Sequence, residues 1–154
     1  MIKALLKTHV LALLAFFVVL VFLVITDHTI GITHLLAENF QGIGQLLATL
    51  STSLIVFPFV SFPAVERVIS SAEEVGINVS PELVKDYASG CLTIFIISLL
   101  EVTSVILYSI THQQLFLYIV FSLFPSQLIV VLIIVVFLLR ATSLLWRARG
   151  SLSQ

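Results

Sequence analysis

The chain has 154 residues, 60% of them hydrophobic and only 10% charged, with a formal net charge of −1 and a mean hydropathy of +1.22. A soluble domain carries about 25% charged residues, so this composition excludes an ordinary soluble fold and points to one all-α integral membrane domain. No basic cluster offers a phosphate-tracking surface, which excludes direct nucleic-acid binding, and the single cysteine, Cys91, excludes an intrachain disulfide or a multi-cysteine metal site.

Four apolar segments are long enough to cross a hydrocarbon core about 30 Å thick. The first, predicted at about residues 8–26, follows Lys3 and Lys7. No small-x-small cleavage pattern follows it, so it reads as a retained span rather than a signal peptide. With no polar residue from Val10 to Ile25, it is expected to face lipid broadly and to contribute no chemistry. A mixed segment, Asp27 to Gln41, leads to the second span, at about 43–65. Ala48, Thr49, Ser51, Thr52 and Ser53 are small enough there for a neighbouring backbone to approach closely. Pro58 removes a helix hydrogen bond and is expected to kink this span or loosen one half of it.

Residues 66–87 form the one clearly polar connection, predicted as a short helical hairpin. Gly76 stands where a helix C-cap belongs. Ser80-Pro81-Glu82 reads as a helix start: an N-cap serine, proline in the first turn, and an acid beside it. Only Gly90 interrupts helix-forming sequence from Pro81 to Thr111, so the third span (88–111) is expected to overshoot the bilayer. A tight turn at Thr111–Gln114 leads to the fourth span (115–139). Residues 140–149, with Trp146 among cations, are expected to form an interfacial helix.

With four spans, all seven Lys and Arg residues fall at one side: Lys3, Lys7, Arg67, Lys85, Arg140, Arg147 and Arg149. The positive-inside rule then predicts both termini and the hairpin in the cytoplasm, in what is expected to be a bacterial inner membrane.

The chemistry concentrates at Glu101, a lone carboxyl at mid-span, where an ionisable residue is a functional-site hypothesis by default. Counted from the turn at His112, Glu101 and Gln127 reach the same depth on antiparallel neighbours. Ser98, Ser104 and Ser126 are further candidate partners. Gly90, Thr93, Ile97, Glu101, Ser104, Tyr108 and Thr111 recur at spacings of three and four, a stripe that must face protein or water. Three roles compete for Glu101: a protonated polar link between helices or subunits, part of an ion or proton path, and a switch of helix packing.

On the opposite side His28, His34 and His112 accompany Asp27 and Glu38, with His34 and Glu38 one helical turn apart. These are weak candidates for zinc or pH sensing, and their spacing matches no established metal motif, so no metal or cofactor is expected. His9 lies on the other side and cannot join them.

The hairpin carries an acidic excess, and Glu73, Glu74, Ile77, Val79, Glu82, Leu83 and Asp86 are candidate docking residues for a soluble cytosolic protein. The plainer reading of the acids is a solvated surface. The aliphatic positions Val68, Ile69, Val75, Ile77, Val79, Leu83 and Val84 are expected to need cover from a partner or another copy.

A conventional catalytic site is not expected. Aspartyl proteolysis needs two carboxyls at one depth, a serine nucleophile needs a histidine at its depth, and neither is present. The expectation is a non-enzymatic inner-membrane sensor or anchor subunit, homo-oligomeric through its third and fourth helices, that recruits or regulates a cytosolic effector in a defence or secretion assembly. The alternatives are a small oligomeric ion or proton channel and an immunity protein against a pore-forming toxin.

Overall fold

Few residues in this chain break a helix, and the computed structural model is all-helical: α1 (Ile2–Ile30), α2 (Ile32–Glu38), α3 (Phe40–Glu74), α4 (Pro81–Thr111) and α5 (Gln114–Leu152). It describes residues 2–74, 76 and 79–152, with 2–8, 141, 144, 145 and 147–152 as backbone only. Four of the helices are long and apolar enough to span a membrane, which makes this an integral membrane protein in contact with lipid.

The helix boundaries have local causes. Gly31 takes φ +68°, a left-handed conformation that costs glycine little, and this turns α1 into the short α2. Ser80 caps α4 by accepting a hydrogen bond from the Glu82 amide at 3.3 Å, and Pro81 supplies a pre-set φ at the helix start. At the other end of α4, His112 closes the helix in a left-handed conformation and its amide donates to the Tyr108 carbonyl at 2.8 Å.

The second span and the first arm of the hairpin are one helix, α3, which passes through Pro58 and Pro63. One segment runs on where the sequence reading divides it: residues 140–149 form no helix of their own. No proline or glycine lies between Arg140 and Arg149, and α5 simply continues to Leu152.

In the bundle, α4 packs between α3 and α5, and α1 rests against α5 and α4. α4 is the most buried of the four spans and α1 the least. On α1 most of the large side chains face outward, while Ala12 and Leu23 turn inward. α4 and α5 approach closely at Gly90, where an added Cβ would stand 3.0 Å from Ile134 Cγ1.

The apolar core is split in two along the bundle axis. The half nearer the cation-bearing end packs Ala12, Val65, Tyr87, Cys91, Ile94, Val130 and Phe137 together. The other half packs Phe40, Leu47, Val105, Tyr108, Leu117 and Val120, with the Phe40 and Tyr108 rings 4.2 Å apart. Along α3 and α4, the buried residues between these clusters are polar: Ser51, Ser98, Glu101 and Ser104.

Candidate functional site

That polar layer is built by three helices. α4 presents Ser98 and Glu101, three residues apart and so on one face. α5 brings Gln127 to the same depth, and α3 adds Ser51. All four are essentially sealed from the surroundings, Glu101 at 0% exposure and Gln127 at 1%. Of the polar stripe on α4, the members from Gly90 to Tyr108 are buried within the single chain. Its neighbours there are α1, α3 and α5 of the same chain.

Gln127 is the hub. Its amide nitrogen donates to Ser51 Oγ at 3.0 Å and to Ser98 Oγ at 3.2 Å, which ties α5 to α3 and α4 together. Glu101 faces Ser51 and Gln127, yet neither of its oxygens makes a hydrogen bond to a described residue. Buried polar atoms are nearly always bonded, so two orphaned carboxyl oxygens need an explanation. The Ser122 hydroxyl, also sealed, has no partner among the described residues either.

The depth match of Glu101 with Gln127 thus brings the two side chains together, and Ser98 joins them. Ser104 and Ser126 do not bond to Glu101. Their hydroxyls bond back to the Leu100 carbonyl at 2.8 Å and the Ser122 carbonyl at 3.2 Å, the local alternative always open to serine in a helix. Both instead line a cavity of about 440 Å³ among α1, α4 and α5. At that cavity's other end stand His9 and Thr93, whose Nδ1 and Oγ1 are 3.0 Å apart. The first span is therefore not without polar contacts: His9 ties it to α4.

Ser51 was singled out from sequence only as a small packing residue. Its mid-span position on α3 was the available signal, but which face of α3 meets α4 is a tertiary fact. A second polar cluster was missed altogether. At the end remote from the cations, Asp27 accepts hydrogen bonds from the Thr33 amide at 2.7 Å, the Thr33 hydroxyl and the Tyr118 hydroxyl at 2.5 Å. The turn at Gly31 is what carries Thr33 back to Asp27. Near the cation-bearing end, the Tyr87 hydroxyl bonds to Ser61, and the Tyr87 ring packs 4.7 Å from that of Phe137.

The histidines remain dispersed. His34 Nδ1 lies 3.4 Å from Glu38 on an exposed helix face, while His112 closes α4. No group of three or more His, Cys, Asp or Glu among the described residues is arranged to hold a metal, His28 included.

On the hairpin, Glu73, Glu74, Glu82 and Asp86 are exposed. The aliphatic positions are covered more than the sequence implies. Val79 is buried, Val68 and Val84 are half-buried, and Ile69 and Leu83 pack against the core. Val75 and Ile77 lie outside the described residues.

The fold and site together define a four-span helical membrane protein with a sealed polar layer at mid-bundle. No protein-family model matches the chain, and no curated protein or solved structure matches it either.

Proposed function

We propose that this protein is a non-enzymatic inner-membrane anchor subunit, with both termini and the α3–α4 hairpin in the cytoplasm, whose hairpin recruits or regulates a soluble effector. The observation that carries this reading is the continuation of α3 and α4 past their apolar stretches as a paired extension, with Glu66, Glu73, Glu74, Glu82 and Asp86 exposed along it. The orientation rests on the gathering of all seven Lys and Arg at that end of the helices. Beside the hairpin, Leu83 and Asp86 line a cavity of about 280 Å³ with Phe137 and Arg140, a place for a partner's side chain.

The polar stripe of α4 is spent on packing within the chain, so the proposed homo-oligomer uses another surface. The exposed face of α3 suits it: Thr49, Thr52 and Ser53 bond back to their own helix and are small enough for close helix approach.

The test is affinity capture from native membranes. Replacing Glu73, Glu74, Glu82 and Asp86 by lysine is expected to abolish recovery of a cytosolic protein that the native chain retains; undiminished recovery overturns the docking role. Charge reversal at these exposed positions is cleaner than Leu83→Asp, which would also disturb the core. A channel is the second reading, favoured by the orphaned Glu101 carboxyl. It requires ion flux in liposomes that Glu101→Gln alters.

A further inference from the structure

Glu101 is the sole Asp, Glu, Lys, Arg or His in residues 39–65, 87–111 and 113–139. Among the described residues, Ser51 of α3 and Gln127 of α5 stand beside its carboxyl, and neither is titratable in the ordinary range. His9, on α1, is paired with Thr93, about two turns away along α4. An ionised carboxyl sealed at this depth needs one positive charge, and none of the described residues supplies it there.

The surrounding atoms say which charge fits. Two carboxyl oxygens, the Gln127 amide oxygen and the hydroxyls of Ser51 and Ser98 are all hard oxygen donors. No sulfur or imidazole is present to hold a soft metal. With one negative charge in the set, a divalent ion would keep an uncompensated charge in a dry interior. A proton alone leaves a different deficit: the neutral acid carries an O–H that itself needs an acceptor, and neither oxygen makes a hydrogen bond to a described residue.

We propose that Glu101, Gln127, Ser51 and Ser98 form an occluded site for one monovalent cation of the sodium class. The ion enters in exchange for the carboxyl proton: Glu101–COOH and Na⁺ give the Na⁺ carboxylate and a released H⁺. The cavity lined by Ser104 and Ser126 brings solvent-sized space to the residues beside the site, with His9 and Thr93 at its far end. This site is independent of what the hairpin binds.

The test uses the purified full chain in nanodiscs and a fluorescent carbodiimide, which attacks protonated carboxyls in apolar surroundings. A single adduct is expected, mapped to Glu101 by mass spectrometry. NaCl is expected to suppress it, and choline chloride at equal ionic strength is not. One-for-one exchange lowers the protecting Na⁺ concentration about tenfold for each pH unit raised. Ser51→Ala and Gln127→Ala should still be labelled but need roughly tenfold more Na⁺ for protection, whereas Glu101→Gln loses the adduct. Labelling of Glu101 that ignores Na⁺, or no labelling at any Na⁺ concentration, overturns the site.

Discussion

At one end of the bundle Asp27 accepts hydrogen bonds from Thr33 and Tyr118, whereas at mid-span Glu101 accepts none from any described residue. Both are carboxyls on apolar helices, and the contrast lies in what surrounds them. Asp27 sits at a helix end where Gly31 turns the chain back and α5 offers a phenol. Its donors come from α2 and α5, so it staples three helices, and its bonding capacity is used. Glu101 sits where α3, α4 and α5 meet, sealed by apolar clusters on either side, with an amide already committed to two serines. A satisfied carboxyl holds structure; a sealed and unsatisfied one retains capacity to hold something else.

The sharpest way to break this comparison is to place an ammonium at each position. Glu101→Lys buries a cation with no carboxyl partner, and an uncompensated buried charge costs about 3–5 kcal/mol, a large share of the roughly 5–15 kcal/mol that holds a domain folded. A large loss of monodisperse protein in detergent is expected. Asp27→Lys keeps its charge at a helix end beside water, and folded material of lower stability is expected. Equal recovery of the two variants would mean that Glu101 is not sealed.

An apolar replacement then tests the sign. In Na⁺-free buffer, Glu101→Leu removes two unbonded oxygens whose desolvation costs about 1–3 kcal/mol, so the midpoint of unfolding in dodecyl sulfate is expected to rise. Asp27→Leu strips the acceptor from Tyr118 and Thr33, and its midpoint is expected to fall. If both fall, Glu101 has bonding partners in the folded protein.

The two carboxyls also mark how far the sequence could be read. The helical spans were legible from apolar run length, and the start of α4 from Ser80-Pro81-Glu82, because those signals are local. The pairing of Glu101 with Gln127 was legible too, since antiparallel neighbours joined by a tight turn must match in depth. Ser51 was not, because its role depends on which face of α3 meets α4. The Asp27 cluster was hidden for the same reason: Tyr118 reaches it through packing, across most of the chain's length. Ser104 and Ser126 were over-read, since a helical serine can always satisfy itself on its own backbone. Val79 was expected to need cover, and its burial leaves no mark in the local sequence.

The smallest expected effects distinguish a bonded hydroxyl from an idle one at the same depth. Ser51 and Ser122 are both fully buried, but Ser51 accepts from Gln127 at 3.0 Å and the Ser122 hydroxyl has no described partner. Ser51→Ala leaves the Gln127 amide with Ser98 as its one remaining acceptor, at 3.2 Å. Losing a neutral hydrogen bond of this kind costs about 1 kcal/mol. Ser122→Ala removes a desolvated hydroxyl and opens no cavity larger than one atom, so its change is expected to be zero or slightly stabilising. The two midpoints in dodecyl sulfate should therefore fall on opposite sides of the native value or with Ser122→Ala indistinguishable from it. The double variant Ser51→Ala/Gln127→Leu completes the cycle. If Ser51 acts through the amide, adding Ser51→Ala to Gln127→Leu is expected to cost less than adding it to the native chain. Equal costs would mean that Ser51 does nothing for Gln127, and the polar layer would then be an accident of packing rather than a connected site.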